Sequence, residues 1–387
     1  MAGFETATMT RRGFLRSAAL GGVAASVAAC APSAVAPAAP PAAPAGAPAA
    51  QEEWQRQWDQ VVAAAKKEGK LVLLTVEGSG YRKAAEVFSQ AFGIEVELAG
   101  GNSASVWVPK VQKERSAGVY TLDVAVVPPN SAINVLRPEG AWDPVRPVIF
   151  RPDVLDPKVW IDSFEERWMD KDKQIAFGWE FKAIHSLLAD TTLVKPDAIK
   201  TAKDLLDPQW KGKIIMADVR IGGTFIPLYN VRKQYGDAFL KQFIVDQQPV
   251  FSRDLRAVAE GVVRKKYPLA FYVEPPILQE FVDQGLTQHL KYLEVPDVDY
   301  ATSYCVMLFN RAPHSNAAKL FINWLLTKEG QTVFGQNVPT NSARKDVEKF
   351  SKTGIATPGV AYFNPNREEA YTPINDTLKY LTSLVTQ

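Results

Sequence analysis

The residues best suited to do chemistry lie in three short loops of glycine and small polar side chains. Each loop follows an apolar run and precedes a helical one. They are Gly78-Ser79-Gly80, which leads into Tyr81; Gly101-Asn102-Ser103; and Gly222-Gly223-Thr224. Loops of this kind let a ligand approach backbone N–H groups, and the positive end of the following helix dipole favours an anion. Thr224 is placed to cap its helix, with Pro227 in the first turn. Arg220, just before the third loop, can pair with a carboxylate or phosphate. Tyr272 ends an apolar strand, Asn130 follows Pro128-Pro129, and Trp179 stands near a chain crossing, so each can wall a cleft. The candidate binding set is therefore Ser79, Gly80, Tyr81, Asn102, Ser103, Asn130, Trp179, Arg220, Gly222, Gly223, Thr224 and Tyr272. The competing reading is structural: tight turns and caps for the loops, core packing for Trp179 and Tyr272, a surface position for Arg220.

Other chemistries find no pattern. Gly78-Ser79-Gly80 has Lys83 where a dinucleotide loop needs its third glycine, and no phosphate loop ending in Gly-Lys-Ser/Thr occurs. Gly101-Asn102-Ser103-Ala104-Ser105 misses the nucleophile elbow. His185, His289 and His314 lack metal-ligand spacing. No catalytic residue, cofactor or resident metal is expected, and the chain reads as a binding protein rather than an enzyme.

The elements that position these loops repeat one grammar of apolar strand, small loop and amphipathic helix. Lys70–Val76, Ile94–Leu98 and Leu122–Val127 read as strands in the first half, and Lys213–Ala217 and Tyr267–Val273 in the second. Leu255, Val258, Ala259, Val262 and Val263 make one buried helical stripe, as do Ala317, Leu320, Phe321, Trp324 and Leu325. The pattern predicts an α/β fold of two lobes, each a largely parallel sheet flanked by helices. Ligands in such sheets sit beyond the strands' C-terminal ends.

The N-terminus reads as a targeting segment. Thr10-Arg11-Arg12-Gly13-Phe14-Leu15-Arg16 fits the twin-arginine export pattern, an Ala/Gly stretch follows, and Val27-Ala28-Ala29-Cys30 resembles a lipobox whose cysteine is acylated. Residues 31–50 are almost all Ala and Pro, a polyproline-type stalk reaching up to roughly 60 Å at about 3.1 Å per residue. Loss of residues 1–30 takes three of 44 bases and one of 42 acids and leaves the charges balanced, against nucleic-acid binding. Cys305, in an apolar run, is then the remaining cysteine and reads as a core thiol.

Two stretches resemble a known family. Asp204-Leu-Leu-Asp-Pro-Gln-Trp-Lys-Gly-Lys-Ile-Ile-Met-Ala-Asp218 and Ala312-Pro-His-Ser-Asn-Ala-Ala-Lys-Leu-Phe-Ile-Asn-Trp-Leu-Leu-Thr-Lys-Glu-Gly-Gln331 are similar to type II periplasmic solute-binding proteins of ABC importers. The similar branch includes ferric-ion, thiamine and aminoalkylphosphonate binders, and roughly residues 55–345 are covered. The resemblance implies lobe 1 at 51–178 and 303–345, lobe 2 at 179–302, and a C-terminal segment 346–387 across both. It implies closure by hinge motion on a small ligand, delivery to a membrane permease, and a monomer tethered outside the cytoplasm through Cys30. Ferric binders of this branch carry an adjacent tyrosine pair where this chain has Phe271-Tyr272. The expected ligand is therefore an organic anion. The alternatives are a ferric carrier using Tyr272 and a ligand-sensing lobe for a membrane signalling partner.

Overall fold

In the computed structural model of the chain, the described residues are 47–385, apart from Asn102, Pro196, Gly222, Glu274 and Pro339. The targeting segment, Cys30 and most of the stalk lie outside them. Residues 47–50 of the expected stalk are instead helical, the start of α1 (Ala47–Glu68).

The first sheet has the order β2 (Glu95–Gly100), β1 (Lys70–Thr75), β3 (Val124–Val127), β13 (Cys305–Phe309), β4 (Trp142–Asp143), with β5 (Phe177–Gly178) also paired to β13. β1 runs parallel to β2 with Leu73 opposite Leu98, and parallel to β3 with Leu74 opposite Ala125. β13 returns antiparallel, Val306 opposite Val126. Side chains alternate between two cores, as period two requires. Leu71, Leu73, Val124 and Val126 face one core, with Phe88, Phe321 and Trp324. Val72, Leu74, Ala125 and Val127 face the other, with Trp107 and Trp142. Cys305 is fully buried in that second core, and burial pushes its thiol well up, as a core thiol should be. Helices α2 (Ser79–Phe92) and α3 (Ala104–Ser116) follow β1 and β2; the short α4 (Pro129–Ser131) follows β3, and α5 (Pro152–Leu155) lies in the next connection.

The second sheet has the order β11 (Leu290–Leu293), β7 (Leu187–Asp190), β10 (Leu269–Phe271), β8 (Ile214–Ala217), β9 (Val250–Ser252). β8 is parallel to β10 and β9, whereas β7 is antiparallel to β10 and β11. Both sheets are thus mixed, because the chain enters and leaves each lobe in opposite directions. α6 (Ile226–Lys241), α7 (Leu255–Val263) and α8 (Pro275–Asp283) follow β8, β9 and β10. Val258, Ala259 and Val262 of α7 are fully buried, and Asp254 caps that helix through the N–H groups of Arg256 and Ala257.

Two strands carry the chain between the sheets. β6 (Lys182–Ile184) and β12 (Tyr300–Thr302) pair antiparallel, Ala183 opposite Ala301. α9 (Ser315–Leu325) and α10 (Lys328–Asn337) then pack on the first sheet, where Glu68 accepts from the N–H groups of Asn316 and Ala317 at the start of α9. The last segment touches both cores: Tyr371 of α11 (Tyr371–Val385) joins one beside the first sheet, and Leu381 and Leu384 join one beside the second. It also borders the crossing strands, because Ala183 N–H donates to Gly354 O (3.0 Å) and Ala301 N–H to Phe363 O (2.7 Å).

Candidate ligand site at the sheet ends

β8 and β10 are parallel neighbours, so their C-terminal ends deliver two candidate segments to one place. A Cβ added to Gly223 would lie 3.9 Å from the Tyr272 hydroxyl oxygen. Gly223 has φ +85°, a backbone conformation that glycine adopts without strain. Tyr272 also has positive φ, 63°, and is held there by its N–H donating to Ser186 O at 2.6 Å. A bulky residue in the left-handed region is strained, and such strain concentrates at functional positions.

The charge beside them is organised by Asp218, the residue after β8. Its Oδ1 accepts from Arg220 Nε (2.7 Å) and from the Arg220 N–H (3.0 Å); its Oδ2 accepts from Arg220 Nη2 and from Arg253 Nε (3.3 Å). The Arg220 guanidinium and its backbone bond hold the Asp218 carboxyl far below the usual carboxylate range, against the effect of burial. Arg253 comes from the end of β9, and its side chain is 73% exposed. Two guanidiniums thus share one carboxylate. Guanidinium N–H groups beyond those spent on Asp218 remain on both arginines.

Thr224 does other work. It is buried, and its Oγ1 lies 2.9 Å from both Asp218 O and Ile221 O, to which it donates. It does not cap α6: the helix begins at Ile226, and Phe225 holds the cap position without a side-chain bond. Its hydroxyl is spent folding the loop that carries Arg220.

On the first sheet the candidates scatter. Ser79 is exposed at the start of α2, but Gly80 is a packing position. A Cβ there would stand 2.2 Å from Asn337 O and 3.3 Å from Val338 Cα, so the missing side chain lets α2 lie against the end of α10. Tyr81 is buried, its ring 6.3 Å from Phe334, and burial pushes its phenol up. Ser103 precedes α3 and pairs with Ser105 (Oγ–Oγ 2.7 Å) at an exposed corner. Asn130 is exposed beyond β3, where its Oδ1 accepts from Asn366 Nδ2 (2.8 Å). Trp179 is fully buried with its ring 5.2 Å from Phe334, in the core rather than on a cleft wall. Asn102 and Gly222 lie outside the described residues. The structure therefore brings Arg220, Gly223 and Tyr272 together, with Thr224 as a strut of the same loop, while Ser79, Ser103 and Asn130 are exposed beyond the strands of the first sheet.

Sequence reasoning missed Asp218 as the organiser of the edge, and Arg253 as its second cation. It also missed Arg167, which is buried 5.8 Å from the Phe181 ring, with no partner for Nε or Nη1 among the described residues. Burial lowers its guanidinium to about 10. No sequence signal marks it, because Glu165-Glu166-Arg167 reads as a solvated run.

Among the described residues no three His, Cys, Asp or Glu side chains gather as they would around a metal ion. Nor is any helix among them long and apolar enough to cross a membrane.

Solved structures share the architecture at low identity. Ferric iron-binding protein A of Mannheimia haemolytica, in an open conformation, is 14% identical with a TM-score of 0.64, covering 82% of this chain and 98% of its own. The Trichodesmium protein FutA, in complex with iron and citrate, is 15% identical with a TM-score of 0.61, covering 82% and 99%. The spermidine/putrescine ABC transporter substrate-binding protein PotD of Streptococcus pneumoniae is 14% identical with a TM-score of 0.54, covering 80% and 91%. No curated relative matches the sequence. These neighbours are binding proteins, not enzymes, and their ligands differ within one fold. Residues 162–337 match the family described as bacterial extracellular solute-binding protein, and the chain as a whole shares the fold of the solved binding proteins named above.

Proposed function

We propose that the chain is the extracytoplasmic binding component of an ABC importer, and that it captures a small organic anion between its lobes. The observation that carries this reading is the pair of guanidiniums on Asp218, set beside Gly223 and Tyr272 where β8, β9 and β10 end. Arg220 and Arg253 would meet the ligand's carboxylate or phosphonate, and the Tyr272 hydroxyl would orient it. The two-stranded link of β6 and β12 would serve as the hinge, and Asn130 would face the ligand from the other lobe. Export on a twin-arginine signal and a lipid anchor at Cys30 belong to the same proposal, as does a permease that accepts the cargo. A ferric ion suits the edge poorly, because the Asp218 carboxylate is already neutralised by two guanidiniums.

Residues 51–387 titrated with a panel of organic anions should show one ligand that raises the melting temperature. At 100 times its dissociation constant such a ligand adds about 2.7 kcal/mol. Arg220→Gln and Tyr272→Phe should each weaken that ligand, by about tenfold for the arginine, the equivalent of ~1.4 kcal/mol. Unchanged binding in both variants would remove the site from this edge. A visible phenolate-to-iron absorption band with ferric citrate, lost in Tyr272→Phe, would replace the anion with the metal.

A further inference from the structure

Beside the hinge lies a second opening, of about 270 Å³, walled by Lys182, His185, Tyr292, Glu294, Lys352 and Ile355 among others. That volume is far above the ~10–15 Å³ that admits one water. Its lining includes none of Arg220, Gly223, Arg253 or Tyr272. Tyr292 and Glu294 belong to β11 and its end, and β7 separates β11 from β10. At about 4.8 Å per strand β11 and β10 are about 10 Å apart, although Tyr292 reaches across to Val273 O (2.8 Å), so the two places are neighbours with separate linings.

Three independent parts of the chain build the walls, and each is fixed. On the first side, the crossing strand β6 is bonded through Ala183 N–H to Gly354 O (3.0 Å). The loop 351–354 is tied to Asn341 of the first lobe, whose Oδ1 accepts from Ser351 N–H (3.0 Å) and whose Nδ2 donates to Thr353 O (3.0 Å). On the far side, Tyr292 OH donates to Val273 O (2.8 Å), and Glu294 Oε2 accepts from Thr357 Oγ1 (3.1 Å). The opening is therefore a formed feature between the second lobe's edge strand and the segment that braces the first.

Its chemistry is lopsided. The Lys182 and Lys352 ammonium groups make no hydrogen bond or ion pair among the described residues, and the His185 ring uses Nδ1, on Asp299 (2.8 Å), with no partner for Nε2 among those residues. The one carboxylate in the wall, Glu294, takes a hydrogen bond from Thr357 Oγ1 and keeps its charge, one negative against two ammonium groups. The remaining surface is apolar, from Ala183, Ile184, the Tyr292 ring and Ile355, the last 42% exposed. Two unpaired ammonium groups and a free imidazole nitrogen beside an apolar wall match a carboxylate on an apolar body. We infer that this hinge-side pocket is a second ligand site, distinct from the cargo cleft, for a small organic carboxylate with an apolar body. A molecule seated there touches both the crossing strand and the second lobe's edge, so its binding is coupled to the angle between the lobes. The coupling is reciprocal with cargo affinity.

Benzoate is the probe, titrated by calorimetry into the protein comprising residues 51–387, with inorganic phosphate as the charge-only control. The expected result is saturable benzoate binding that Lys182→Met with Lys352→Met weakens at least tenfold and that Tyr272→Phe leaves unchanged. Should the double variant not fold, Lys352→Met alone, at an exposed loop position, and Ile355→Trp, which fills the opening, must each still weaken benzoate. Absence of binding would overturn the inference, as would binding insensitive to these substitutions or phosphate binding as tight as benzoate. Loss of benzoate binding in Tyr272→Phe would also overturn it, by placing the probe in the cargo cleft. The cargo reading stands or falls separately, on the Arg220 and Tyr272 variants with the anion panel.

Discussion

Thr224 looks like a ligand contact in the sequence and works as a strut in the fold. Its hydroxyl has two carbonyls within reach, Asp218 O and Ile221 O, both on the loop that aims Arg220. Thr224→Ala should therefore lower stability by about 1–3 kcal/mol, the usual cost of leaving buried acceptors without a donor. Chemical denaturation measures that loss directly. A variant that bound cargo ten times more weakly at unchanged stability would return Thr224 to the site. At this scale the sequence showed which residue types could bind an anion but not where their hydrogen bonds go. Gly223 and Tyr272 were legible as loop and strand end, and parallel pairing of β8 with β10 made them neighbours. Asp218 was invisible in its role, because its partner Arg253 is 35 residues away and nothing in the spacing links them. Trp179 misled for a related reason: an aromatic at a crossing has the same local sequence whether it lines a cleft or fills a core.

Between elements, the contact of α2 with α10 is the sharpest example of packing that local pattern cannot reveal. Gly80 sits where a methyl group would press on the Asn337 carbonyl, a backbone atom that cannot swing aside. Gly80→Ala should cost about 1–3 kcal/mol by overpacking. A lower thermal midpoint with the anion affinity retained is the expected pattern; an unchanged midpoint would show that α2 is free to shift. The amphipathic stripes of α7 and α9 were readable because each helix buries one face at a period its own sequence sets. The direction of the strands was less readable. Alternating strands and helices predict parallel sheets, whereas β13, β7 and β11 run against their neighbours because the chain crosses between lobes twice.

For the molecule as a whole, the link between lobes is the part most sensitive to solution conditions. His185 and Asp299 flank the two crossing strands and pair at 2.8 Å, and Asp299 also accepts from the Ser186 and Val295 N–H groups at 3.0 Å each. The bond to Asp299 raises the His185 imidazole above its ordinary 6.5, with a smaller contribution from Glu294 and with burial opposing. Burial raises the Asp299 carboxyl as well. A raised histidine stabilises the fold fully below its unfolded pKa and loses that contribution as pH climbs through the folded value. Stability should thus fall as pH rises above about 6.5, the unfolded value for histidine, and His185→Gln should flatten that fall. Denaturation midpoints at pH 6 and pH 8 test it, and equal slopes in both proteins would remove His185 as the source.

The final segment has a consequence for how the protein is made. Gly354 O and Phe363 O receive the outer N–H groups of β6 and β12, so the link between lobes is braced on both edges by residues that follow both sheets in the chain. A ribosome has finished both sheets, including the returning β13, before it releases those residues. The strands of each sheet can thus pair during synthesis, while the bracing of the link and the core places of Tyr371, Leu381 and Leu384 wait for residues 354–384. A nascent chain that stops before them would carry an unbraced link and two cores still short of the side chains that α11 supplies.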